Sequence, residues 1–209
     1  MAGVMTSFLG NLPVVISYYT VNTPYEEEVK HLIASCKKFG LDTCIEGIPS
    51  QGSWEKNCAI KPFFIKEKLH ALQRPVFWVD ADAVFLKEPS FSLFLPYDFS
   101  VTQAKVEDVR FQYNAASIFV NSTSGGFEAV DRWCKATAYA LKEFTKIPPF
   151  LDQVTLLYSF QKVPNILFLS MPKSYCKIFD LDKAFVPQEE VVIEQNQASR
   201  RLKSFFEKS

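Results

Sequence analysis

Glycine is scarce in this chain, histidine is nearly absent, and neither sign of charge is in excess; each shortage removes a class of protein. Seven glycines in 209 residues are too few for a β-solenoid or a flexible-linker architecture. The two histidines, His31 and His70, lie far from any metal-ligand spacing, and the five cysteines (Cys36, Cys44, Cys58, Cys134, Cys176) contain no C-x-x-C pair. That excludes a structural zinc site. An odd, widely spaced set of cysteines reads as reduced, mostly buried thiols in a reducing compartment, and the cytoplasm is the expected location. The 23 basic residues balance 23 acidic ones, so the basic stripe that a phosphate backbone demands is missing and nucleic acid is not an expected partner. The local cluster Arg200, Arg201 and Lys203 reads, taken alone, as a solvated helix face. Residues 1–19 are apolar but lack a positively charged lead, and Asn11 and Pro13 interrupt the run. They fit neither a signal peptide nor a membrane span.

What the chain does have is apolar material in short, punctuated runs. Twenty phenylalanines predict a core rich in aromatic packing. Val14–Thr20 is β-branched and aromatic, a buried strand. Thr23-Pro24-Tyr25-Glu26 follows as a capping box with Thr23 as N-cap and Glu26 at N3. The helix it starts would bury Val29, Leu32, Ile33, Cys36 and Phe39 and stop at Gly40. A strand over 43–48 completes a β-α-β opening. A polar stretch over 49–60 precedes a helix over 61–72 with Pro62 in its first turn, and 75–80 is a third buried strand. Further strands are expected over 99–103, 115–121 and 165–170. A helix over 126–144 would bury Phe127, Val130, Cys134, Ala138 and Leu141, and a shorter one covers 150–160. Neither repeat nor linker divides the chain, so residues 1–209 are expected to form one three-layer α/β/α domain, its core over about 14–203.

In open α/β sheets, ligands bind beyond the carboxyl ends of the strands, which directs attention to Tyr18–Thr20 and to Asp80-Ala81-Asp82. In the latter, a continuous apolar strand delivers two carboxylates, and in extended geometry residues two apart share a side. Converging carboxylates repel unless a cation sits between them. Mg²⁺ or Mn²⁺ holding a diphosphate would serve, since these hard cations take a few carboxylates plus phosphate oxygens. The plain alternative is a chance Asp-x-Asp in a solvated turn.

The segment Pro75–Pro89, PVFWVDADAVFLKEP, resembles the Asp-x-Asp region of GT-A glycosyltransferases. Three further segments follow in the order of that fold. Asn114–Asn121, with Gly125-Gly126 and Asp131-Arg132-Trp133 after it, is similar to the acceptor-side strand and helix. Leu151–Leu157 resembles the Asp-Gln helix. Val192–Lys203 resembles the closing segment of a bacterial group of nucleotide-diphospho-sugar transferases.

The resemblance implies a GT-A-like fold with a mixed, mostly parallel sheet. It also implies transfer of a sugar from a nucleotide-diphosphate donor, a UDP-sugar by preference, to a glycan, protein or small-molecule acceptor. Tyr18, Tyr19 and Thr20 would hold base and ribose, and Lys61 would lie near the phosphates, with Trp54 and Asn57 lining the same mouth. Asp80, Ala81 and Asp82 would contact ribose and metal, and Asn114 sugar or acceptor. Asp152 and Gln153 would lie beneath the donor sugar and stabilise charge at the anomeric carbon; for a double displacement, Asp152 is the one nucleophile to nominate. Ser199, Arg200 and Lys203 would neutralise the diphosphate.

One departure stands out. Such enzymes often carry a histidine as third metal ligand where this chain has Gln195, a weaker partner for Mn²⁺. The Mn²⁺ or Mg²⁺ site would then be Asp80, Asp82 and Gln195. A catalytically inactive nucleotide-sugar binder is the alternative reading. A nucleotidyltransferase is disfavoured, because Val21-Asn22-Thr23-Pro24 stands where a glycine-rich phosphate cradle would be.

Overall fold

The computed structural model describes residues 12–103, 112–160, 165–178 and 186–201. Strand β1 (Val14–Thr20) leads into helix α1 (Tyr25–Lys38) and strand β2 (Thr43–Ile48). Helices α2 (Trp54–Ala59) and α3 (Lys61–Leu72) precede β3 (Val76–Val79), β4 (Ala83–Phe85), β5 (Phe99–Gln103) and β6 (Tyr113–Val120). Helices α4 (Ser124–Glu143) and α5 (Leu151–Phe160) follow. The chain then returns through β7 (Phe168–Ser170), β8 (Lys177–Ile178), β9 (Ile193–Gln195) and a single helical turn, α6 (Ala198–Arg201).

Six strands form the main sheet in the order β2-β1-β3-β6-β5-β7, and β4-β9-β8 form a small second sheet. The β2–β1, β1–β3 and β5–β7 pairings are parallel, and β3–β6 and β6–β5 antiparallel. The expected three-layer α/β domain with a mixed, mostly parallel sheet is therefore what forms.

Period-two alternation along β1 divides the core. Val14, Ile16 and Tyr18 join Phe64, Ile65, Leu69, Trp78, Trp133 and Leu156 on the side of α3, α4 and α5. Val15 faces the other way, with Val29, Leu32 and Cys36 of α1 and the phenylalanine-rich group Phe77, Phe85, Phe91, Phe94 and Phe119. In that group Phe77 packs at a tilt against Phe91 and Phe94 at centroid distances of 4.9 and 5.6 Å. Phenylalanines serve both layers, since Phe64 and Phe99 lie in the first group with Phe127, Phe160 and Phe168 packed against it.

Three expectations need correction. Ile33 is 46% exposed, so the buried stripe of α1 is narrower than the periodicity implied. The buried side of α4 runs through Ala129, Val130, Trp133, Cys134, Thr137 and Ala140, and Ala138 faces solvent. The α1 cap is rearranged as well. Thr23 Oγ1 accepts from Tyr25 N at 3.3 Å, while Glu26 Oε1 takes Asn22 N at 3.0 Å instead of closing a reciprocal box.

Gly125 and Gly126 have a steric reason. A Cβ on Gly125 would lie 2.2 Å from Asp98 Oδ2, and one on Gly126 would lie 2.0 Å from the Asn121 carbonyl oxygen. Asp98 here binds the Thr123 hydroxyl and, at 2.8 Å, Leu167 N. Replacing a helical glycine by alanine ordinarily stabilises by about 1 kcal/mol. Gly126→Ala should instead destabilise, by about 1–3 kcal/mol, because backbone must move to admit the methyl; urea denaturation checks the sign.

Candidate active site

Strand β3 ends at Val79, and the chain turns at once: Asp80 N donates to Ala116 O at 3.0 Å, and Ala83 N to Asp80 O at 3.0 Å. Asp80 and Asp82 therefore stand on a tight turn, not on an extended strand, and their carboxylates are held by different partners. The switch in strand direction makes this possible. Because β6 runs antiparallel to β3, its first residues, Asn114 to Ala116, arrive beside the carboxyl end of β3.

Lys61, in the first turn of α3, is buried to 5% exposure. Its ammonium lies 3.0 Å from Asp80 Oδ1, 2.7 Å from Asp152 Oδ2 and 3.0 Å from Ala115 O, and 5.4 Å from the centre of the Trp78 ring. An ammonium has three donors, and these contacts use all three. Burial works against its charge, but Asp152 and then Asp80 outweigh it and hold its pKa well above the usual lysine value. Lys61 thus clamps α3, the Asp80 turn, β6 and α5 together.

Asp80 also accepts from Trp78 Nε1 at 3.1 Å and keeps 34% of its side chain open. Desolvation in this crowded hollow raises its pKa, with Lys61 opposing. Asp152 is closed off, 6% exposed at the side chain. Its carbonyl takes the Trp133 indole N–H at 3.0 Å, and Thr155 Oγ1, bonded to Thr137, takes the same indole at 3.1 Å. Gln153, the next residue, is half-buried.

Asp82 is 7% exposed and is held from the far end of the chain: Ala198 N donates to its Oδ2 at 2.6 Å, and Asn196 N to its carbonyl at 3.2 Å. Burial, then the charge of Asp80, pushes its pKa up to about 6. Gln195, opposite Ala83 in the β4–β9 pair, is fully buried. Its Nε2 donates to Ala116 O at 3.2 Å and Ser117 Oγ at 3.0 Å, leaving Oε1 without a hydrogen-bond partner. Among the described residues no group of three or more His, Cys, Asp and Glu side chains is placed to hold a metal ion.

The remaining sequence candidates divide. Tyr18 belongs to the core: it packs on Phe64 and Trp78, its hydroxyl donates to Asn57 O at 2.6 Å, and burial raises its pKa. Tyr19 points to the opposite side of β1, half-buried, and Thr20 is buried with its hydroxyl 3.0 Å from that of Thr23. Asn114 Oδ1 accepts from Ala116 N at 3.0 Å, beside the β5–β6 irregularity. Ser199 is half-buried and Arg200 exposed on α6; Lys203 lies outside the described residues.

Beside these groups lie Tyr25, Cys58 and Phe150, which the sequence did not mark for the site, and Trp54, which it did. Tyr25 is held by the Trp54 indole and lies close enough to Asp82 that burial and then that carboxylate raise its pKa. Cys58 keeps some solvent exposure, yet burial and then Asp152 push its thiol well above the usual range. Trp54 meets Phe150 edge-on at 5.9 Å, and Phe150 holds a left-handed φ of 60° just ahead of α5. Such strain at a bulky residue clusters at functional sites. A separate hollow of about 580 Å³ on α4, lined by Ser124, Phe127, Glu128, Asp131, Arg132 and Lys135, includes none of these groups.

By sequence, no family profile and no curated protein matches the chain. By structure, it resembles a glycosyltransferase involved in the glycosylation of the major capsid of PBCV-1, with a TM-score of 0.64 and 14% identity over 94% of this chain and 100% of that one. It also resembles the apo-form glycosyltransferase GlyE of Streptococcus pneumoniae TIGR4, with a TM-score of 0.55 and 13% identity over 88% of this chain and 54% of that one. The chain shares the fold of these glycosyltransferases. Among the described residues no helix is long and apolar enough to cross a membrane.

Two outcomes follow from the buried charges. Lys61→Met strands Asp152 without its cation and should cost about 3–5 kcal/mol of stability by urea denaturation, whereas the double variant with Asp152→Leu should recover most of it. Asp82 has a folded pKa of about 6, above its unfolded value, so its stabilising contribution is complete below about pH 4 and lost as pH rises through 6. Asp82→Asn should flatten the stability profile across that window, by on the order of 2–3 kcal/mol between its ends.

Proposed function

We propose that the protein transfers a glycosyl group from a nucleotide-diphosphate sugar, a UDP-sugar by preference, to an acceptor hydroxyl with the help of a divalent cation. The observation that carries this reading is the convergence of the Asp80–Asp82 turn, Asp152 and the start of β6 on one buried ammonium, in a fold shared with glycosyltransferases. Two carboxylates on the turn after β3 would suit a divalent cation that also takes diphosphate oxygens. The cation, when bound, would neutralise charge developing on the leaving diphosphate.

The chain's own groups would do the rest. Asp80 and Asp82 hold the cation. Ser199 and Arg200 on α6, and Lys203 beyond the described residues, extend phosphate neutralisation, since the donors of Lys61 are already committed. Lys61 acts as a positioning residue, keeping Asp80 and Asp152 at fixed separation without reorganisation during the reaction.

A carboxylate 6% exposed and ion-paired at 2.7 Å is poorly placed to attack an anomeric carbon. We therefore assign Asp152 an electrostatic role, leave the half-buried Gln153 as the α5 side chain nearest the donor sugar, and favour acceptor attack without a covalent enzyme intermediate. Gln195 supports the competing reading of an inactive nucleotide-sugar binder, which would bind donor but not turn it over.

Calorimetric titration of UDP and GDP, with and without Mn²⁺, tests the site. The wild type should bind one of them with metal at least about tenfold more tightly than Asp82→Asn, a difference of about 1.4 kcal/mol. UDP-sugar hydrolysis then separates enzyme from binder. Binding of neither nucleotide would sink the proposal.

A further inference from the structure

Trp54 and Phe150 are half-buried and join none of the core clusters that the described residues form. Aromatic side chains held together outside a core, with a few polar groups beside them, are the material of ligand sites. The two rings meet edge to face, with 5.9 Å between centroids and an interplanar angle of 85°, and so make two walls of a corner. Each wall is fixed. The Trp54 indole N–H, which can only donate, is bonded to the Tyr25 side chain. Phe150 holds a left-handed φ of 60°, a strain that persists only where the surroundings impose it. Helix α2 itself is tied to β1 by the Tyr18 hydroxyl, which donates to Asn57 O at 2.6 Å.

Neighbours on both walls locate the corner. Trp54 and Cys58 form an i, i+4 pair and share a face of α2, and the Cys58 thiol is within reach of the charges of Asp152, Lys61 and Asp80. Tyr25 is within reach of the charge of Asp82. On the other wall, the Phe150 carbonyl accepts from Gln153 N at 3.1 Å, at the start of the helix that carries Asp152. The corner therefore borders Asp80, which keeps 34% of its side chain open, and the half-buried Gln153.

Resting on the glycosyl-transfer reading above, we propose that the Trp54–Phe150 corner is the platform for a pyranose ring of the substrate, seated by its apolar face while Gln153 and the open side of Asp80 take its hydroxyls. One face of a pyranose is a patch of weakly positive C–H bonds, which suits the negative face of an aromatic ring. Its rim carries hydroxyl donors, which suit carboxylate and amide oxygens. A nucleobase also stacks on aromatic rings, but the edge of uracil is mostly carbonyl oxygen, and acceptors facing acceptors satisfy nothing. The pyranose belongs to the donor or to the acceptor, with the same chemistry in either case.

Trp54 is its own reporter. The chain has three tryptophans, and Trp78 and Trp133 are 2% and 0% exposed, so acrylamide quenching of the fluorescence reads Trp54. The full chain, with Mn²⁺ present, is titrated with UDP, with UDP-glucose, UDP-galactose and UDP-N-acetylglucosamine, and with the methyl pyranosides of the same sugars. At least one sugar-bearing probe should shield Trp54 from the quencher, and UDP alone should not. Shielding by a UDP-sugar puts the donor's ring on the corner; shielding by a methyl pyranoside puts the acceptor's ring there. Phe150→Ala and Trp54→Leu should each weaken calorimetric binding of the shielding probe by about tenfold, the loss expected for a stacked aromatic contact. UDP binding, kept in both variants, verifies that they fold.

An unshielded Trp54 with every sugar-bearing probe, while UDP binds, would overturn this proposal alone. So would equal shielding by UDP, which would make the corner a platform for the base, or sugar binding unmoved by both substitutions. Failure of UDP, the UDP-sugars and the methyl pyranosides to bind at all would instead bring down the glycosyl-transfer reading, and this proposal with it.

Discussion

A lysine ammonium sealed among two carboxylates and a backbone carbonyl is the constraint on which the site depends. Removing an ammonium from water is costly unless its donors are all met and its charge is balanced. Here three different segments meet those needs: the turn after β3, the start of β6 and the first turn of α5. None can shift without stranding charge in the interior. The aromatic ring of Trp78 closes one side of the group and ties back to Asp80 through its indole N–H, so the strand that ends in the acidic turn also walls the cation in.

That arrangement divides the labour between two acidic residues that look equivalent in sequence. Asp80 is half-open and ion-paired, and so is balanced from within. Asp82 is enclosed and held by a backbone N–H, and burial together with its neighbour's charge makes its carboxyl harder to ionise. The asymmetry comes from the turn: in an extended strand the two side chains would have shared a face and a fate. Tyr25, brought over Asp82 by the start of α1, adds to the enclosure.

Much of the fold was legible because it rests on local signals. Apolar runs of strand length, the Gly40 stop and Pro62 in a first turn fall where the elements begin and end. The α4 register was misread by a fraction of a turn, since Phe127 and Leu141 are apolar but only half-buried, while Thr137, a polar type, is fully buried against Thr155. The acidic turn was also legible as a motif. Its partners were harder. A lysine at a helix start carries no mark of being buried, and the Ala198 N–H that holds Asp82 has no side-chain signature at all. Tyr18 and Tyr19 looked alike as neighbours on β1, yet the pleat sends one into the core beside Trp78 and the other to the opposite layer.

The separations spanned by the site's bonds have a consequence for how the protein comes into being. Lys61 reaches Ala115 over 54 residues and Asp152 over 91, and Ala198 reaches Asp82 over 116. Contacts this distant must overcome loop-closure entropy before they stabilise anything, so they form late in folding. During synthesis the β-α-β opening can pair as soon as β2 is free of the ribosome, whereas Asp82 lacks its bond from Ala198 until that residue has emerged. A chain stalled before residue 198 can hold a sheet, but not the bond from Ala198 that closes over Asp82.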